Sequence, residues 1–365
     1  ILEREGTISL IYYLVYLERK RFMLIEGLSE KLLEFIDEKA DPLSIIMGQE
    51  DAKEKILASL LAGHHVLIEG PPGIGKTTLV KHLASILPEI GSIKGCPFHC
   101  DPGDPVCPRC RELSEEEKTP EVESVEGRNR LIRIQGSPDL TVEDLLGDID
   151  PSMAFQFGPQ DHRAFTPGKL LKGNRGIVFF DELNRVQEKL QNALLQVLEE
   201  GFATIGPFDV DFPSNFVMIG TMNPREHAGV EELSDVLLDR FDVIKMGYPE
   251  TPELEAEILV KFGKDLGVSV PGEVLDMIVK LVRATRDGQW KSELEQGASV
   301  RGGLSLYEKV QGYALVRSRK EAKGEDVRRM AVSSLLSRIK PSPESRYYDE
   351  PEEILQDIIR EVMEV

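Results

Sequence analysis

The 365-residue chain is too long for one small core and suits two packed domains. Its 41% hydrophobic content is ordinary for a soluble globular protein. A formal net charge of −20 argues against a general basic surface that coats nucleic acid, although a local basic channel in an assembled ring stays open.

The chain starts at Ile1 rather than at methionine, so a missing or processed start is expected. The apolar run Ile8 to Leu17 is too short to span a bilayer and follows no secretory pattern. Leu10, Leu14 and Leu17 favour an amphipathic helix instead, within an N-terminal helical region over residues 1–40. The expected compartment is the cytoplasm.

Asp41-Pro42 breaks the helical pattern. The run Ile45-Ile46-Met47-Gly48-Gln49-Glu50 then leads into a helix from about residue 51 to 61, with Gly48 and Gln49 as candidates for nucleotide contact. Next comes Gly70-Pro71-Pro72-Gly73-Ile74-Gly75-Lys76-Thr77-Thr78, a complete G-x-x-x-x-G-K-T phosphate loop. It lies between the apolar run His65-Val66-Leu67-Ile68 and a helix-like stretch starting at Leu79, as the chemistry requires. Backbone N–H groups of the turn and of the helix N-terminus wrap the phosphates, Lys76 reaches the β/γ oxygens, and the Thr77 hydroxyl can ligate Mg²⁺.

All four cysteines fall in the window Cys96, Cys100, Cys107 and Cys110, inside an insertion near residues 91–128. Four thiolates this close can enclose a tetrahedral Zn²⁺ and fold a loop rich in Pro, Gly and Asp. An iron–sulfur cluster stays open as the alternative, as do a disulfide or free thiols, although the remainder of the chain reads as intracellular. The box lies apart from the phosphate loop, so scaffolding or partner docking is its expected role.

Strands are expected over residues 131–134, 177–180 and 216–220, with helical stretches between them, which makes a parallel sheet covered on both faces. The strand ending in Asp181-Glu182 puts Asp181 at the sheet edge to hold Mg²⁺ through water, and Glu182 where it can orient and deprotonate the attacking water. An acidic pair after a strand is common by itself; the phosphate loop upstream is what gives this one meaning. Thr221-Met222-Asn223-Pro224 follows the third of these strands, and Asn223 is a candidate for holding the same water, against the plainer reading of an Asn-Pro turn. In Leu237-Leu238-Asp239-Arg240-Phe241-Asp242, Arg240 is anchored on both sides and is a candidate arginine finger for a neighbour's site. The plainer alternative is a salt bridge to Asp239 or Asp242. From about residue 249 helix follows helix, which predicts a smaller all-α domain over 249–340, then an acidic tail over 341–365 with an amphipathic stretch at Ile354, Ile358 and Val362. Within that second domain Arg301 is placed to close over the phosphates.

These parts in this order resemble the AAA+ ATPases from Asp41 to Ile339: a parallel phosphate-loop α/β core followed by an all-α lid. The segment 136–168, with Asp144-Leu145-Leu146-Gly147 and Phe165-Thr166-Pro167-Gly168, is similar to the helix-2 insert of the MoxR and magnesium-chelatase branch. Phe180-Asp181-Glu182-Leu183-Asn184-Arg185 and Gly297-Ala298-Ser299-Val300-Arg301 resemble MoxR ATPases in particular, while the Gly95-Cys96-Pro97 and Cys100-Asp101-Pro102 wording resembles some chelatase-type subunits. The resemblance implies ATP hydrolysis with Mg²⁺, a hexameric ring, and a partner carrying a von Willebrand A domain. The leading expectation is a remodelling motor acting on a protein client, with Met153 to Phe157 as a candidate contact. The rivals are a chelatase ATPase subunit, a DNA-acting ring motor, which the acidic balance disfavours, and a non-hydrolysing adapter.

Overall fold

A computed structural model of the chain describes residues 25–116, 119–204, 211–223 and 232–363. The expected helix through Leu10, Leu14 and Leu17 lies outside these residues, as does Pro224. The chain divides into two compact units. The first holds Ile1–Ile45, Glu50–Glu69 and Lys76–Lys245; the second holds Ile46–Gln49, Gly70–Gly75 and Met246–Val365.

The first unit is organised by five strands: β1 (His65–Glu69), β2 (Leu131–Gln135), β3 (Gly176–Asp181), β4 (Phe216–Met222) and β5 (Phe241–Lys245). They form one sheet in the spatial order β5-β1-β4-β3-β2, and every neighbouring pair is parallel. Buried β-branched and aromatic residues explain the central strands. Residues Gly176–Phe180 of β3 and Phe216–Thr221 of β4 are buried throughout, as expected of parallel strands covered on both faces. The sequence reading had four of these strands and missed β5. That strand sits at the sheet edge, where Phe241 and Ile244 are buried but Asp242 is half-buried and Val243 and Lys245 are exposed, so it lacks the continuous apolar run.

Register fixes what lies at the carboxyl edge. Glu69 pairs with Met222, Gly220 with Phe180, and Gln135 with Asp181. The ends of β1, β4, β3 and β2 therefore emerge together, which is where open parallel sheets place their ligands.

Among the described residues, three small antiparallel ladders decorate this unit, one of which pairs Phe202–Thr204 with Asp211–Pro213. Ile90–Ile93 pairs with Val122–Val125 and brackets the cysteine-bearing segment. Gly147–Ile149 pairs with Phe165–Pro167 and brackets the helix Pro151–Phe157, which Asp150 caps by accepting from the Ser152 and Met153 N–H groups. None of that helix is buried, and Phe155 is 95% exposed.

The second unit is built on the helices Pro252–Phe262, Gly272–Ala284, Val300–Val316, Gly324–Leu335 and Pro351–Met363. A short ladder between Leu294–Gln296 and Lys340–Pro341 is added to them. The stretch beyond Pro341, set apart by its acidic composition, contributes the helix whose Ile354, Leu355, Ile358 and Ile359 are buried in this core. The i, i+4 spacing of those pairs aligns them on one face. Among the described residues, no helix is long and apolar enough to cross a membrane.

Candidate active site

At the carboxyl edge of the sheet, the chain leaves β1, passes through Gly70–Gly75 and enters the helix Lys76–Ile86. Gly73 and Gly75 have φ of 78° and 99°, a left-handed geometry that costs glycine nothing. Such turns aim successive N–H groups into a concavity that suits phosphate oxygens. Lys76 and Thr77 are half-buried in the first turn of the helix, and Thr78 is exposed. Pro71, Pro72 and Ile74 complete the loop and are half-buried.

The acidic pair is wired by Thr221. Its hydroxyl donates to Asp181 Oδ1 at 2.8 Å and accepts the Glu182 N–H at 2.9 Å. Glu182 itself has φ 59° and ψ 52°, a left-handed conformation uncommon for a residue with a Cβ. Strain of this kind persists where surrounding contacts over-determine it, and it concentrates at functional sites. Here the constraint includes Gly136, whose N–H donates to the Asp181 carbonyl at 2.7 Å; a Cβ on Gly136 would lie 2.0 Å from the Glu182 carbonyl oxygen. Only glycine permits that approach.

β2 brings in two residues that sequence reasoning did not single out. Arg133 Nη2 donates to Asp181 Oδ2 at 2.8 Å, and Gln135 Nε2 donates to Glu182 Oε2 at 2.8 Å. Arg185 lies 3.3 Å from the same Glu182 oxygen. The polar positions of Leu131-Ile132-Arg133-Ile134-Gln135 were a signal in hindsight, but only the register of β2 against β3 says which carboxylates they meet. Asn223 directly follows β4, is buried, and its carbonyl accepts from Asn184 Nδ2 at 3.4 Å.

The donor set fits Mg²⁺ in kind. The Thr77 hydroxyl and the Asp181 carboxylate are hard oxygen ligands, and each carboxylate oxygen can accept a further bond beyond those from Thr221 and Arg133.

Arg240 is held between buried Leu237 and Phe241, as its flanks led us to expect, and its guanidinium is engaged within the chain. It donates to Asp239 at 2.9 Å and to Glu199 at 3.0 Å. Asp242, the other expected partner, instead meets His64 Nδ1 at 2.9 Å.

The second unit gathers Ile46–Gln49, the loop Gly70–Gly75 and the lid helices. The Arg301 stem lies against the phosphate loop: a Cβ on Gly73 would come 2.5 Å from Ser299 Oγ and 3.2 Å from Arg301 Cγ. Gln49 spends its side chain on the backbone of Gly247, donating to its carbonyl and accepting its N–H, both at 3.1 Å. Gly48, at φ 69°, approaches Leu254 closely. Both residues thus brace the segment that opens the lid. In the same segment Tyr248 lies under Arg286, whose Nη2 donates to both oxygens of fully buried Glu255 at 2.6 and 2.7 Å.

Away from the phosphate loop in sequence, the structure draws the four cysteines together, with all four sulfurs within 4.8 Å of one another. They are buried in the same core cluster as Phe180, Met218 and Leu190, so the box is part of the main core of its unit rather than a coreless loop. Next to Cys100, His99 is half-buried at φ 48°.

Three family profiles match successive parts of this chain. "Magnesium chelatase, subunit ChlI" matches residues 42–94, "ATPase family associated with various cellular activities (AAA)" matches 118–243, and "AAA lid domain" matches 291–358. A magnesium-chelatase subunit ChlI homolog of Methanocaldococcus jannaschii is 33% identical over 208 residues, 56% of this chain and 53% of that protein. The ChlI-2 subunit of Arabidopsis thaliana is 33% identical, over 60% of this chain and 51% of its own length. These alignments span about half of each chelatase relative. The uncharacterized protein YeaC of Bacillus subtilis is 28% identical over 87% of this chain and 90% of its own. A solved complex between magnesium-chelatase subunits BchI and BchD contains a chain 24% identical over 86% of this one, with a TM-score of 0.46. With the phosphate loop, the acidic pair and the lid on one chain, the three profiles and the sequence relatives mean that the protein belongs to the AAA+ ATPases, in the branch shared by MoxR-type proteins and magnesium-chelatase ATPase subunits.

Proposed function

We propose that the protein hydrolyses ATP at a seam between neighbouring copies in a ring, and uses the cycle to remodel a protein client or partner. The observation that carries this reading is the edge of the sheet, where Thr221 ties Asp181 to the strained backbone of Glu182. That wiring holds one carboxylate at the sheet edge and turns the next away from it, so the two can take different tasks.

In this reading Gly70–Thr78 wraps the triphosphate, and Lys76 offers its ammonium to the β/γ oxygens. Thr77 and Asp181 are the residues that would hold Mg²⁺, which when bound neutralises phosphate charge. Glu182 accepts a proton from the attacking water, and Asn223 helps to hold that water in line. Arg301, whose stem lies against Gly73, meets charge that develops on the phosphoryl group within the same chain. Arg240 does so for the neighbour. To reach it, the guanidinium must exchange Asp239 and Glu199 for phosphate, a modest cost because solvent screens exposed ion pairs.

Nucleotide-driven movement of the lid would be transmitted to the 136–168 insert, where Phe155 is exposed to a client. Ring assembly as a hexamer, a von Willebrand A partner and a cytoplasmic setting belong to this proposal, and nucleic acid does not. The match to ChlI over residues 42–94 favours a second reading, the ATPase subunit of a metal chelatase. One experiment separates the two: Glu182→Gln protein trapped with ATP, captured from extract and analysed for what stays bound. A large chelatase subunit supports the second reading, a von Willebrand A protein or client the first. Failure of the trapped protein to retain ATP contradicts both.

A further inference from the structure

We propose that Cys96, Cys100, Cys107 and Cys110 bind a single Zn²⁺ as four thiolates, and that this ion holds the box as the wall on which the 147–167 insert is seated. The geometry speaks for one ion. A tetrahedral site with Zn–S bonds of about 2.3 Å separates its sulfurs by roughly 3.8 Å. Cys96 and Cys107 Sγ lie 3.8 Å apart, and all four sulfurs fall within 4.8 Å of one another. Each thiolate of a four-iron cluster would bind a different iron, which spreads the sulfurs around a much larger body. A disulfide requires about 2.05 Å and would use only two of them.

The surroundings suit thiolates. Cys107 precedes the first turn of the helix Pro108–Glu115, whose N-terminus favours negative charge, and Cys110 sits within that turn. The Cys107 N–H donates to Cys100 Sγ at 3.4 Å, the kind of outer contact that orients a metal ligand. All four cysteines are at most 5% exposed, and four buried thiolates require a cation to offset their charge.

What the box supports is visible in its contacts. Phe98 stacks on Phe212 at 5.8 Å, and Phe212 meets Phe165 of the insert hairpin at 4.4 Å. Glu112 of the box helix lies 3.4 Å from His162. Between box and insert runs a cleft of about 280 Å³, with Phe98, Cys107 and Arg109 on one side and Met153, Phe157 and Arg163 on the other. On its far side the box is clamped to the residues that enter β3. Asn174 donates to the Phe98 carbonyl at 2.6 Å, and Arg175 donates to the His99 carbonyl at 2.7 Å. Loosening the box therefore removes the insert's support, while β1 and β4 keep their ladder.

The test uses the full chain. Elemental analysis should find about one zinc per chain and little iron, with no visible absorption, and a thiol-blocking mercurial should release the zinc. Hydrogen exchange should then rise about tenfold or more in residues 94–116 and 147–167, and stay unchanged in 65–69 and 216–222. Once excess thiol has displaced the mercurial and been removed, reloading with Zn²⁺ should restore protection, and Co²⁺ should give the visible bands of a tetrahedral thiolate site. Because Cys110→Ser alters a fully buried core position and so confounds metal loss with misfolding, the stripped and reloaded wild-type protein is the deciding pair. Stoichiometric iron with a visible chromophore would overturn the zinc assignment, as would a purified protein that carries no metal and takes up neither Zn²⁺ nor Co²⁺. Stripping that leaves exchange in 147–167 unchanged would overturn the supporting role.

Discussion

The edge of the sheet and the cysteine box solve the same problem, holding several chemically demanding side chains together, by opposite means. At the edge, backbone ladders do the positioning. Register places Gln135 beside Asp181 and the end of β4 beside the end of β1, so side chains from distant segments converge there. In the box no ladder spans the ligands. Cys96 and Cys100 sit in a loop and Cys107 and Cys110 at a helix start, so their convergence rests on the packing of Phe98 on Phe212 and, as proposed above, on a shared Zn²⁺. The lesson is that removing the Glu182 carboxylate should cost the edge its chemistry before its structure, whereas the box should lose structure first.

The largest test of that contrast is Glu182→Gln. It should lower ATP turnover by about 10²–10⁴-fold, the range for loss of a general base, with nucleotide affinity and melting temperature nearly unchanged. A large fall in melting temperature would mean that the edge depends on its side chains as the box does.

Next in size is a pH effect centred on His65, which is buried in β1 and accepts the Met218 N–H at Nδ1, 3.0 Å away. Burial pushes its pKa down from 6.5 to about 4. The folded state therefore binds fewer protons than the unfolded state between those values. The stability this histidine permits is complete above pH 6.5 and is lost as pH falls toward 4, by about 3 kcal/mol at 1.36 kcal/mol per unit. Denaturant melts at several pH values should show this slope, and His65→Gln should flatten it. A slope that survives the substitution would assign the acid sensitivity elsewhere, the box included.

Thr221→Val removes the hydroxyl that accepts from Glu182 and donates to Asp181. It should cost about 1–3 kcal/mol of stability by leaving a part-buried donor and acceptor unsatisfied, and lower kcat more than it raises KM. Equal changes in both would mean that the hydroxyl only packs. The smallest effect belongs to Gln135→Ala. The amide occupies Glu182 Oε2, one of the two oxygens to which an attacking water could donate. Its loss should raise basal turnover about two- to tenfold, matching one hydrogen bond of roughly 0.5–1.5 kcal/mol. A decrease would mean that Gln135 positions Glu182 instead of restraining it.

Much of this architecture is readable without coordinates because its signals are local. The phosphate loop is a contiguous string, and β1, β3 and β4 are unbroken apolar runs. Edge strand β5 escaped because its buried Phe241 and Ile244 are separated by polar or exposed positions, and Arg133 and Gln135 escaped because their partners lie 48 and 47 residues away in sequence. The pairing of Arg240 with Glu199 is equally invisible, since Glu199 sits at the end of a different helix.

The amino-acid order alone determined which groups are available: a glycine turn before a lysine, two adjacent carboxylates after an apolar strand, and four cysteines within fifteen residues. Chain connectivity holds such neighbours close whatever the rest of the molecule does. Which distant groups meet them was decided only by tertiary structure. The arginine and glutamine facing the carboxylates depend on strand register, and the seating of the insert on the cysteine box depends on the aromatic contact through Phe212. Both arise from burial shared among segments far apart in sequence, so no local pattern carries them.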